Sequence, residues 1–224
     1  MEDTPATRWQ AVEQRISAAA VAAGRNPLEI TTVVVTKFHP ASLVRELSGA
    51  GVTDVGENRH QEAVSKQEQL SDLALTWHFV GQLQSNKAKA VAEYCSVIHS
   101  IDRTSVVRAL AGSERTVDVF LEVNLTHDSG RGGVMPSELL GLAEETLATP
   151  NLNLLGLMAV APLEEEPAAA FDRVVALSHE LHSLAPQATK LSIGMSADFE
   201  AAIAAGATHL RIGSAITGKR PATP

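Results

Sequence analysis

The chain has 224 residues, 45% of them hydrophobic and 20% charged, which is ordinary globular composition with enough chain for one large core. Its net charge of −8 argues against a general nucleic-acid or anionic-membrane partner, though not against a local basic pocket. The single cysteine, Cys95, excludes an internal disulfide and fits a reducing cytoplasm; in "AEYCSVIHS" it reads as a small buried hydrophobe. The N-terminal "MEDTPATRWQ" lacks a basic-then-apolar signal, and no apolar run is long enough for a membrane span.

In chain order, the pattern opens with a helix over Ala6–Ala23, stopped by Gly24, with Trp9, Val12, Ile16 and Ala20 on one face. Eight strand-then-helix units follow. Their strands are Glu29–Lys37, Thr53–Asn58, Thr76–Gly81, Ser96–Asp102, Val117–Leu125, Leu152–Ala161, Thr189–Met195 and Thr208–Ile216. Parallel strands need crossover helices, and eight such units in this length predict one closed (β/α)8 TIM barrel over residues 1–224 with an extra N-terminal helix. An open doubly wound sheet is the alternative. "PLEEEPAAA" reads as a solvated loop after strand six, and the tail "PATP" as disordered.

Ligands of such barrels sit at the C-terminal strand ends, with phosphate often held after strands seven and eight. There the chain places Gly194, Met195 and Ser196, then Gly213 and Ser214. Glycine lets backbone approach a ligand, serine offers a hydroxyl, and a helix N-terminus presents unpaired N–H groups. Ser196 is a candidate N-cap of the helix in "ADFEAAIAAG". Two such turns at this place predict a phosphate site; plain tight turns are the alternative.

In "VVVTKFHP", period-two alternation puts Lys37 on the face of Val33 and Val35. A lysine among apolar side chains has its charged form disfavoured, and its neutral amine can form a Schiff base with a carbonyl. The competing reading is a strand-end lysine reaching solvent. An amine plus a phosphate site suggests pyridoxal 5′-phosphate (PLP). Arg211, two residues before the second turn, could then meet the pyridine nitrogen as a donor, or it could sit in a buried salt bridge. Asn58 and His78 end strands two and three and could line the pocket, His78 equally serving as a core histidine. Asn86, Lys87 and Lys89 fall near the mouth. "HELH" lacks the HExxH spacing, and no metal is expected.

The motifs "VVVTKFHP", "VGENRHQE", "WHFVGQLQSNKAK", "HSIDR", "LLGLM" and "GMSADFEAAIAAGATHLRIGSAITGKR" together resemble the pyridoxal phosphate homeostasis proteins, a family like the alanine racemase barrel standing alone. The resemblance spans about Trp9 to Arg220. It implies a PLP lysine at Lys37, phosphate ligands at Ser196, Gly213 and Ser214 beside Gly194 and Met195, a ring-nitrogen arginine at Arg211 and a pocket asparagine at Asn58. The family usually carries Thr where Ser214 stands, an aromatic where Thr217 stands, and "SKTKP" where this chain has "TKFHP".

The implied role is a cytoplasmic PLP carrier without robust turnover, acting as a monomer or weak dimer, with PLP-dependent apo-enzymes as candidate recipients. An amino-acid racemase is the alternative. It needs a second acid/base, which in alanine racemase comes from an extra β-domain and a partner chain, and a chain of 224 residues leaves no room for that domain. A Schiff-base aldolase acting on a sugar phosphate would use the same parts without a bound chromophore.

Overall fold

The computed structural model describes residues 3–126, 128 and 130–218. The "PATP" tail and the closing Lys219 and Arg220 of the last motif lie outside the described residues. Helix α1 (Pro5–Ala22) opens with a reciprocal cap between Thr4 and Thr7 and Pro5 in its first turn, and it buries Trp9, Val12, Ile16 and Ala20. It packs against three other helices, α2 (Ala41–Gly49), α8 (Phe199–Ala204) and α9 (Ser214–Thr217). Arg8 Nε donates to the Ile216 carbonyl at 2.8 Å and so ties the chain's first helix to its last.

The strands are β1 (Thr31–Val35), β2 (Asp54–Glu57), β3 (Thr76–Phe79), β4 (Val97–Ile101), β5 (Val117–Val123), β6 (Leu152–Ala159), β7 (Lys190–Ser192) and β8 (His209–Ile212). Between them run α3 (His60–Gln69), α4 (Ser85–Ala92), α5 (Thr104–Leu110), α6 (Leu139–Leu147) and α7 (Pro167–Leu184). Every neighbouring pair is parallel, and β1 pairs with β8 from Thr31↔His209 to Val34↔Ile212, so the sheet closes and the open alternative falls away. Each strand lies inside its expected span and is shorter, and the residues trimmed from the C-terminal ends pass into the loops.

Alternation along the strands divides the core in two. Residues such as Val34, Val55, Ile98, Leu121 and Leu157 face outward into the large apolar layer beneath the helices. The inner face carries a small apolar cluster of Val97, Phe120 and Met158. It also carries a buried polar set that includes His78, His99, Ser192 and Arg211. Cys95 is buried, and burial pushes its thiol up, which suits its expected packing role. Among the described residues no helix is long and apolar enough to cross a membrane.

Strand β6 carries a bulge where its register with β5 shifts between Val119 and Phe120. Gly156 sits there at φ +152°, and a Cβ would fall 1.9 Å from the Lys190 carbonyl oxygen of β7. Gly156→Ala should therefore break the β6–β7 pairing, at a cost of about 4 kcal/mol or more. Urea denaturation measures this, and a loss under about 1 kcal/mol would show that the strands can separate there without penalty.

Candidate functional site

A cavity of about 490 Å³ opens at the C-terminal strand ends, a volume suited to a small-molecule ligand. Val35, Val80, Met158 and Val160 form apolar walls. Lys37, Asn58, Met195, Ser196, Arg211, Gly213 and Ser214 supply the expected polar and turn residues, and Glu122 joins them.

Lys37 lies two residues past the end of β1, and both its neighbours are anchored. The Thr36 hydroxyl donates to Glu57 Oε1 at 2.6 Å, and its carbonyl accepts from Lys66 Nζ at 2.8 Å. Lys66 also donates to Glu57 Oε1 at 2.5 Å, so a buried ion pair stands behind the turn. Burial pushes the Glu57 carboxyl above its usual range, against the opposing pull of the Lys66 ammonium. On the other side Phe38 takes φ +68°, a left-handed conformation uncommon for a bulky residue. Its N–H donates to Glu62 Oε2 at 3.1 Å and its ring lies under the Arg59 guanidinium. A strained turn held from both sides aims Lys37 into the cavity.

Arg211 is 5% exposed. Its Nη1 donates to the Ser192 carbonyl at 2.6 Å and to Ser192 Oγ at 2.7 Å, and its Nη2 donates to the Ala159 carbonyl at 3.0 Å. Burial lowers it to about 10, so it stays protonated at neutral pH. Its partners are thus backbone and hydroxyl oxygens rather than the carboxylate of a salt bridge.

The two turns differ in detail from their expected form. Helix α8 begins at Phe199 with Asp198 as N-cap residue, not Ser196. Asp198 Oδ1 accepts the Met195 N–H at 2.6 Å and closes a local turn that delays the helix. Ser196 is thereby freed, and its Oγ accepts the Ala215 N–H at 3.3 Å, which links the turn after β7 to the turn after β8. The hydroxyl proton remains for a ligand. Gly194 does not line the cavity. It turns the chain just behind it at φ +92°, where a Cβ would sit 2.6 Å from Ala202 Cβ.

His78 also stands apart from the cavity wall. It is buried inside the barrel, with Nε2 3.0 Å from Asp54 Oδ1 and Nδ1 2.9 Å from His99 Nε2. Its side chain reaches into the interior, toward Asp54 and His99, rather than up to the cavity. Asn58 lies between the cavity and an adjoining polar groove that contains Arg59, His60 and Lys87, and its Oδ1 is buried without a partner among the described residues. Asn86 and Lys89 line neither space. No group of three or more His, Cys, Asp or Glu is placed to hold a metal among the described residues.

Sequence reading missed Glu122. The signal was present: Phe120 faces the interior, so alternation along "VFLEV" carries Glu122 to the same side. Burial, with the nearby Asp102 carboxylate, pushes Glu122 up to about 7, while Arg211 and Arg103 pull it down. Carbon-13 titration of the Glu122 carboxyl should show a midpoint near 7, reduced in Asp102→Asn. A midpoint near 4.5, the ordinary glutamate value, would mean the carboxyl is solvated.

The alanine racemase N-terminal domain family matches residues 9–221. A pyridoxal phosphate homeostasis protein of Pseudomonas aeruginosa is 42% identical over 213 residues, which cover 93% of either chain. The PipY protein of Synechococcus elongatus, solved with PLP bound, shares 37% identity at a TM-score of 0.77, over 91% of this chain and all of its own. Alanine racemase of Corynebacterium glutamicum shares the fold alone, at 18% identity and a TM-score of 0.69, over 95% of this chain and 61% of the racemase. The chain belongs to the pyridoxal phosphate homeostasis proteins, a family built on the alanine racemase N-terminal barrel.

Proposed function

We propose that this chain binds PLP as a Schiff base on Lys37 and serves intracellular PLP homeostasis as a carrier. The observation that carries the reading is the convergence of Lys37 just past β1, Arg211 on β8 and the two serine turns on one cavity. The donor set fits the group. An amine suits the aldehyde, a donor-only guanidinium suits an unprotonated ring nitrogen, and the Ser196 and Ser214 hydroxyls with the adjacent backbone suit the phosphate. The partnerless Asn58 oxygen at the cavity edge has room for one ligand hydrogen bond. Met195, Gly213 and the valine walls give shape, and Gly194 sets the turn from behind. PipY, a relative with the same barrel, is solved with PLP bound.

When bound, PLP supplies a carbonyl for imine exchange and a ring that can accept electrons. Arg211 donates without giving up its proton, so it leaves the ring nitrogen unprotonated and weakens that sink. This favours holding and exchange over α-proton chemistry. PLP-dependent apo-enzymes are the recipients under this reading, with the chain acting in the cytoplasm as a monomer or weak dimer.

Borohydride reduction of the PLP-loaded protein should fix the cofactor to Lys37, read by peptide mass, and Lys37→Ala should abolish the adduct. Reduction onto Lys87, or no PLP after reconstitution, would sink the assignment.

Ser196→Ala and Ser214→Ala should each weaken PLP retention about tenfold, the loss of one hydroxyl hydrogen bond to an anion. Pyridoxal without phosphate should bind much more weakly than PLP. Equal affinity for the two would show that the turns are only turns.

A further inference from the structure

Behind Arg211 the barrel interior carries an unbroken line of hydrogen bonds. Arg211 Nη1 meets Ser192 Oγ at 2.7 Å, and Ser192 Oγ meets His99 Nδ1 at 2.8 Å. His99 Nε2 meets His78 Nδ1 at 2.9 Å, and His78 Nε2 meets Asp54 Oδ1 at 3.0 Å. Ser192 and His99 are fully buried and His78 nearly so, while the Asp54 side chain keeps 22% exposure at the start of β2, the barrel end opposite the cavity. Each link joins side chains from different strands, in the order β8, β7, β4, β3, β2.

The chemistry of the two ends sets one direction for every proton between them. A guanidinium only donates, so Ser192 Oγ accepts from Arg211, and its own proton is then available to a neutral His99 at Nδ1. His99 then carries its proton on Nε2 and gives it to His78 Nδ1. His78 in turn carries Nε2–H, which meets an acceptor-only carboxylate. Each donor finds one acceptor and each acceptor one donor. Burial, with the nearby His78 and Arg211, drives the His99 imidazole well below its usual range, so the ring stays neutral. Burial pushes Asp54 up, but hydrogen bonds from His78 and Thr53 outweigh it and leave the carboxyl below its ordinary value.

We propose that Ser192, His99, His78 and Asp54 form a positioning relay that orients Arg211 toward its ligand, with His99 as the link on which the orientation depends. The guanidinium has five N–H donors. Three are committed to Ser192 and Ala159, which leaves two for a ligand in the cavity that Arg211 lines. Two of those three anchors are backbone carbonyls, fixed by the strands themselves. The third is a hydroxyl that can rotate, and His99 Nδ1 keeps its lone pair on Arg211 by giving its proton somewhere to go. Without that acceptor the buried proton has no partner, and the hydroxyl must turn toward one of the carbonyls that Arg211 uses. The inference rests on the PLP reading only in naming the ring nitrogen as the group that Arg211 meets.

The test begins on the wild-type protein free of cofactor. Nitrogen-15 spectra of the imidazoles should show His99 and His78 both as neutral Nε2–H tautomers, and the Arg211 guanidinium should give separate, slowly rotating Nη–H signals. His99→Leu, which keeps bulk against Phe120, should average the Arg211 signals. It should also weaken PLP binding about tenfold, as expected for loss of one charge-assisted hydrogen bond, and shift the absorbance of the bound cofactor. His99→Gln offers an acceptor and a donor in similar places and should restore the signals and most of the affinity, which mere packing against Phe120 would not require. An Nδ1–H tautomer on His99, unaltered Arg211 signals in His99→Leu, or unchanged PLP affinity in that variant would each overturn the relay. Failure of the wild type to take up PLP would instead overturn the cofactor reading, and the relay would then be judged on the guanidinium signals alone.

Discussion

A guanidinium buried at the mouth of a parallel barrel is the constraint around which the interior is arranged. Removing a full charge from water is costly unless its donors are met, and Arg211 is met by two carbonyls and a hydroxyl rather than by a carboxylate. That choice leaves a net positive charge directed at the cavity. It also explains an interior that would otherwise look poorly built, with three histidines and a serine where many barrels stack aliphatic side chains. His209 packs edge-on to Phe120 and within 6.5 Å of His78 and His99, and burial lowers its pKa to about 4. The His99 and His209 rings therefore add shape without adding charge that would compete with Arg211.

Lys37 is handled in the opposite way. Among the described residues its amine has no anchors comparable to the three of Arg211, and its position comes from the backbone on either side. Thr36 is fixed by the buried Glu57–Lys66 pair and Phe38 by Glu62, all from β2 and α3. A fixed guanidinium and an amine on a held backbone with four rotatable side-chain bonds suit different tasks. One recognises a ligand atom that does not change, and the other must form and release a bond. A buried ion pair is weak evidence for stability. Here it has a positional consequence, because the Thr36 carbonyl takes a hydrogen bond from the same ammonium that meets Glu57.

The fold was readable in the sequence because strands and crossover helices alternate so regularly, and β1–β8 pairing then follows from closure rather than from any single residue. Arg211 was readable because it is a charge on a short strand and period two gives its side, whereas Lys37 lies past β1 and its direction comes from the turn that Thr36 and Phe38 hold. The same logic applied to "VFLEV" would have yielded Glu122, and applied to "VIHSI" it would have yielded His99. What alternation does not give is height along the barrel axis. His78 shares the inward face but sits below the cavity, in reach of Asp54, because strand tilt and register decide depth. Ser196 was misassigned for a local reason, since Asp198 two residues later competes for the turn and a carboxylate wins the Met195 N–H.

Glu122 sharpens the contrast between holding a ligand and turning it over. It lies on β5, across the closed barrel from β1 and Lys37, and its carboxyl is poised near neutrality by burial and by Asp102. A group of that kind can move a proton, so the cavity has an acid/base besides Lys37. Arg211, a donor still charged at neutral pH, would leave the ring nitrogen of bound pyridoxal phosphate unprotonated and so weaken the ring as an electron sink. The protonation state of Glu122 should instead act on residence. When neutral it leaves the positive charge of Arg211 unopposed in the cavity. When ionised it offsets that charge and adds like charge beside an anionic ligand. A rise in pH through about 7 should therefore weaken retention of an anion in this cavity.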